Sequence, residues 1–242
     1  MAPQMKTPGS IERQFCQTQL LSLYKGQGTI IHAVDYSFEN RVATSPGGIT
    51  FNNQIGADYA RSTMEAATNF IWNLFQQNTD ADRKNVQRVS LIIVQNFNNP
   101  NVPAGTGGDQ IYFSADYIQQ TGGDKTEFTG VLYHEMTHVW QWDGNGQSEI
   151  GWVIEGIADF FRLKADYAPG HWVKPGDGAN WKERSDVTAL FLEYCDGLKT
   201  GFVAELNKKM RDSYSDDYFV QLLGKTVDQL WSDYKAKYSA AN

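Results

Sequence analysis

Two histidines four residues apart, His134 and His138, flank a glutamate at Glu135 and make an HExxH spacing in the segment 133–142. On an α-helix, residues four apart lie one turn above one another. Both imidazoles can then meet a single metal ion while Glu135 turns toward an adjoining water. The chemistry this implies is metal-assisted hydrolysis, in which the carboxylate takes a proton from the water and passes it to the leaving group. An amphipathic helix can also carry two histidines with no metal, but histidine is scarce here, with 4 in 242 residues.

Catalytic zinc takes three protein ligands and leaves a fourth position open, so a further ligand is needed. The extended HExxHxxGxxH signature would require Gly at 141 and His at 144. The chain has Gln141 and Gly144 instead. An acidic residue on a following helix is the other solution, and Glu155 is the expected third ligand, with Glu149 its nearest competitor. Asp159, one turn beyond Glu155, is placed to accept the outer N–H of a bound imidazole and so fix its tautomer. Without a metal, Glu155 reads as a solvated helix residue and Asp159 as a partner of Arg162 or Lys164. The apolar residues around the pair suggest a buried helix, and a buried carboxylate needs a partner. Gly156 and Ala158 are expected to let this helix approach the histidine helix. An oxyanion donor is sought among His171, Tyr112, Tyr194 and Tyr218.

The elements that must position these residues follow from hydrophobic period. Alternation at Val34, Tyr36 and Phe38 marks a strand beginning near residue 30, in which His32 is an ordinary polar residue. Ser45-Pro46-Gly47-Gly48 reads as a turn. Helical spacing runs over 57–77, with Trp72 packed. A β-branched run at 89–94 is a buried strand, residues 96–109 form a long loop, and 110–115 form a strand that could border a cleft. The histidine helix opens near Thr126 and is expected to end at the Gly-Asn-rich 143–146. Helical patterns then cover 151–166, 182–198, 201–211, 218–223 and 227–238. The order predicts an α+β fold: a small mixed β-sheet packed on helices, followed by a mostly helical C-terminal part. Residues 1–29, with a short helical possibility at 11–24, read as a loosely attached extension before a domain at 30–242.

Composition narrows the partners. A net charge of -7 without a basic cluster disfavours nucleic acid. No apolar run is long enough for a membrane span, and the N-terminus shows no readable export signal. Two cysteines, Cys16 and Cys195, do not make a disulfide scaffold, and their pairing stays open. A monomer acting on a peptide or protein substrate is expected. Trp140, Trp142 and Trp152 could give its cleft an apolar wall, although they suit a core equally.

The segment Leu132-Tyr133-His134-Glu135-Met136-Thr137-His138-Val139-Trp140-Gln141-Trp142, with Ile154-Glu155-Gly156-Ile157-Ala158-Asp159, resembles the plant basic secretory protein family. The similarity extends through Asp82-Arg83-Lys84-Asn85-Val86, His171-Trp172-Val173-Lys174 and Asp228-Gln229-Leu230-Trp231. That resemblance implies a zincin-like metallopeptidase fold and one Zn2+ held by His134, His138 and Glu155, with Glu135 as base. It also implies secretion to the plant apoplast and a part in defence. The chain departs from the family's name in being acidic, and from its pattern in residues 1–28. A different class of protein would fit the same motif: a defence or binding protein that keeps the metal, turns nothing over and recognises microbial or cell-wall material.

Overall fold

The computed structural model describes residues 34–97, 99 and 102–239. The expected N-terminal extension, the helix at 11–24, His32 and Cys16 lie outside the described residues. From Val34 onward the chain is one unit.

A four-stranded sheet comes first, in the order β1 (Asp35–Asn40), β2 (Arg88–Val94), β4 (Gln110–Ser114), β3 (Ala104–Gly107). β1 and β4 flank β2 in parallel, with Tyr36 opposite Val89 and Ile92 opposite Tyr112. Val89, Leu91, Ile92 and Ile93 are all buried, as a central parallel strand covered on both faces requires. β3 pairs antiparallel with β4 through a tight turn at Gly108, whose φ is +64°. The loop expected over 96–109 therefore contains a strand, and the strand at 110–114 is interior. The sheet edge beside the cleft is β3.

Ser45 caps a short helix, α1 (Pro46–Thr50), instead of marking a turn. Gly47 in it lies so close to the start of the helix after β4 that an added Cβ would fall 1.9 Å from the Ala115 carbonyl oxygen. α2 (Ala57–Leu74) buries Ala60, Met64, Ala67 and Ile71 at helical spacing and stops three residues before the expected end. It packs against the HExxH helix, α4 (Lys125–Trp140), which follows the short α3 (Ala115–Gln120). α5 (Gly151–Lys164) also packs on α4, and α6 (Ser185–Leu198) packs in turn on α5. α7 (Phe202–Lys209), α8 (Asp217–Leu223) and α9 (Val227–Ser239) close the helical part. No described helix is long and apolar enough to cross a membrane.

One small residue, Gly156, acts differently from expectation. Gly156 faces α6, where an added Cβ would meet Thr188 Cγ2 at 2.2 Å. The approach of α4 to α5 depends instead on Gly130, where a Cβ would meet Arg162 Nε at 2.8 Å. Trp140 is 1% exposed in the core, and Trp152 meets Trp181 edge to face with ring centroids 4.3 Å apart. Trp72 packs on Trp140 at 4.9 Å. Cys195 is a free, fully buried thiol whose pKa is pushed up by burial.

Candidate metal centre

α4 begins at Lys125, one residue ahead of the expected Thr126, because Asp124 caps it, its carboxylate accepting the Thr126 and Glu127 amides at 2.7 and 3.2 Å. Its far end comes early as well. Gln141 adopts an extended conformation, so the helix stops at Trp140, and the left-handed residues Gly144, Asn145 and Gly146 form a separate turn. Between these ends, the four-residue spacing stacks His134 over His138 with Nε2 atoms 3.0 Å apart.

α5 brings Glu155 to the same point. Its Oε2 lies 3.1 Å from His134 Nε2 and its Oε1 3.6 Å from His138 Nε2. Glu155 is open to the cleft, with 53% of its side chain exposed, whereas its neighbours Gly156 and Ile157 are buried. The burial expected for this helix belongs to its other faces. Two Nε2 atoms this close repel unless a proton or a cation stands between them. Ligand atoms about 2.0–2.2 Å from a tetrahedral zinc sit roughly 3.3–3.6 Å from one another, and the observed separations of 3.0–3.6 Å span that range. The three residues are grouped closely enough to share one ion. Glu149 lies in a short helical turn before α5 and is not in this group.

The outer nitrogens are engaged too. Asp159 Oδ1 is 2.7 Å from His134 Nδ1, and this carboxylate is 6% exposed. Its alternative partners are taken: Arg162 pairs with Glu127 at 2.8 Å and Lys164 with Glu193 at 3.2 Å. His138 Nδ1 meets the side-chain amide of Gln141 at 2.7 Å. That amide also bonds the Ile154 carbonyl oxygen at 3.2 Å, while its own Oε1 is buried with no partner. Turned over, the amide would give up its bond to the Ile154 carbonyl oxygen and offer Oε1 to a protonated Nδ1, the state in which His138 Nε2 has a free lone pair. Glu135, 5% exposed, accepts the Thr106 hydroxyl from β3 at 2.7 Å. Thr106 and Gln141 were not singled out in the sequence. Gln141, three residues after His138, carried a helical-face signal, whereas Thr106 sat in a glycine-rich stretch with none.

These groups line a cleft of about 760 Å³ that is bordered by residues 102–106, which lead into and form the β3 edge, and by Trp172. The tyrosines expected as oxyanion donors are placed elsewhere: Tyr112 OH bonds Gln110 at 2.6 Å, Tyr194 packs on Tyr234 at 5.5 Å, and Tyr218 OH meets Ser213 at 2.9 Å. None of these, nor the exposed His171, lines the cleft. Of the tryptophans expected at its wall, Trp142 borders a smaller neighbouring cavity, and the wall's indole is Trp172.

The electrostatics of the cluster's own residues give a testable pH dependence. Burial opposes a charged His134, but bonds to Asp159 and Glu155 outweigh it and lift the ring from 6.5 to about 10. Burial also opposes charge on Glu155, yet its bonds to His134 and His138 hold it well below the usual carboxylate range. The raised His134 contributes stability that is full below pH 6.5 and is lost as pH rises through about 10. The depressed Glu155 contributes above its ordinary 4.5 and loses this as pH falls. Melting of the metal-free protein across pH 4 to 10 is expected to show its cluster-dependent maximum between about 4.5 and 6.5, and Asp159→Asn to flatten the alkaline decline.

A family model described as "Peptidase of plants and bacteria" matches residues 31–234. A 58-residue segment is 47% identical to a "Basic secretory protease" of Boswellia serrata and covers 24% of this chain and 66% of that protein, just under two thirds of its length. No solved structure matches. With its match running through both the HExxH helix and the Glu155 helix, the chain belongs to this family of peptidases of plants and bacteria.

Proposed function

We propose that the chain is a zinc-dependent peptidase that hydrolyses internal peptide bonds of protein substrates, acting outside the plant cell in defence. The observation that carries this reading is the convergence of His134, His138 and Glu155 within 3.0–3.6 Å of one another beside a carboxylate held by Thr106. When bound, zinc lowers the pKa of a coordinated water to about 7 and polarises the scissile carbonyl.

The protein's own residues do the rest. Glu135 accepts the water's proton at its carboxylate and returns it to the leaving amine. Thr106 holds that carboxylate from the strand side, so the base is oriented before substrate arrives. Asp159 holds the proton on His134 Nδ1, and Gln141, with its amide turned, does so for His138. The outer edge of β3 can pair with the backbone of an extended peptide, laying the scissile bond along α4. A metal kept only for stability has no use for a strand-held carboxylate beside an open face, and this favours turnover over the binding-protein reading.

Incubation with casein and a quenched peptide library tests the proposal. Cleavage is expected that chelator abolishes; cleavage indifferent to chelator, or none by zinc-loaded protein, contradicts it. The supporting residues have a separate signature. Asp159→Asn and Gln141→Leu are each expected to weaken zinc affinity about 10–100-fold, read by competition with a chromogenic chelator. Gln141→Glu, which restores an acceptor opposite Nδ1, is expected to bind nearly as wild type.

A further inference from the structure

The cleft carries a cation near each end of α4, and the two are in different states. Arg162, packed against Gly130 in the N-terminal half of the helix, is already satisfied. It donates to Glu127 at 2.8 Å and to the Tyr167 carbonyl oxygen at 2.9 Å. Lys84 lies in the wall beyond the C-terminal end of the helix, with Gln141 and Asp143. Among the described residues its ammonium has no hydrogen bond and no ion pair.

Lys84 is nevertheless half-buried and held in place. Its Nζ stands 5.9 Å from the Trp142 ring centroid, and Arg211 covers the same ring at 4.9 Å. Asn207 fixes Trp142 by accepting its backbone amide at 2.8 Å. A lysine that served only solubility would extend into water, whereas this one gives up hydration against an anchored indole. Desolvation lowers its pKa, and Asp143 offsets this only in part, being occupied with the Gly146 amide at 3.2 Å. A cation so placed gains most from a carboxylate delivered by a ligand. A dianion such as a phosphate would be repelled by Asp143 and Glu155, so a single negative charge fits better.

We propose that Lys84 forms an anionic subsite of the cleft that binds one carboxylate of the peptide substrate, supplied by an Asp or Glu side chain or by the chain's C-terminus. The assignment rests on the cleft being a peptide-binding cleft, and it names a substrate class: peptides with an acidic group at a fixed distance from the scissile bond. Lys84 acts on specificity and not on the bond-breaking step.

Binding measured without turnover tests this. Zinc-loaded Glu135→Gln protein is titrated with labelled, doubly blocked octapeptides in which one Glu is walked through an apolar sequence. Each is paired with its Gln counterpart, and a second set ends in a free acid or an amide. In one register the Glu peptide is expected to bind about tenfold tighter than the Gln peptide, with the advantage shrinking in high salt. A preference seen only for the free-acid set assigns the carboxylate to the chain end. Adding Lys84→Met should erase the advantage, and Lys84→Glu should reverse it, while neutral peptides bind as before. Equal binding of every Glu and Gln pair and of both chain ends overturns the subsite, as does an advantage that survives both Lys84 variants. Failure of all peptides to bind overturns the peptide-cleft reading itself.

Discussion

Replacing Glu135 with Gln is expected to lower kcat/KM for peptide cleavage by about 10²–10⁴-fold while one zinc still binds with wild-type affinity. The substitution keeps the side chain's size and its ability to accept the Thr106 hydroxyl, now 2.7 Å from the carboxylate. It removes only the proton-accepting charge. The three proposed ligands are left in place, since none of their contacts with one another involves Glu135. Glu135 is 5% exposed and paired to an edge strand, so a broad loss of fold is not the expected cause of inactivity. Retained zinc stoichiometry beside lost cleavage separates a base from a ligand. Loss of both would move Glu135 into the metal's coordination, and unchanged cleavage would remove it from the reaction.

Glu155→Ala is expected to do the reverse, abolishing cleavage by abolishing the metal. Glu155 joins α5 to both histidines through its two oxygens, at 3.1 and 3.6 Å. Its removal leaves two nitrogen ligands on one helix, too few to hold zinc against water, so affinity should fall by more than the roughly 10–100-fold expected for an outer partner. Metal present at about 1,000 times its Kd stabilises a fold by about 4 kcal/mol. For a domain of this size that corresponds to a rise of roughly 10 °C in Tm on zinc addition. Differential scanning calorimetry should show this rise for wild type and for Glu135→Gln, and none for Glu155→Ala. A full zinc-dependent rise in Glu155→Ala would mean that another group closes the site.

The parts of the site legible in the sequence are those written in helical period. His134 and His138 are four apart on one helix, and Glu155 and Asp159 are four apart on the next, so each pair shares a face wherever the helices pack. The run Val89–Val94 announced a buried strand by β-branching alone. β3 was not legible, because Ala-Gly-Thr-Gly has little strand propensity of its own. It is a strand because β4 pairs with it and Gly108 permits the turn. Thr106 was hidden for the same reason. The end of α4 misled because Gly144 and Asn145 are good terminators. The helix had already stopped where Gln141 turned its side chain to His138 and the Ile154 carbonyl oxygen. Tertiary contacts likewise decided which helix Gly156 faces and which tryptophan reaches the cleft, and neither is encoded in local spacing.

Stoichiometric return of zinc to metal-stripped protein, with cleavage of a quenched peptide followed at each addition, addresses the central claim most directly. The proposed His134–His138–Glu155 centre predicts no cleavage at the start, a linear rise, and a break at about one zinc per chain. Cleavage before any zinc is added, or a rise with no break near one equivalent, would contradict it.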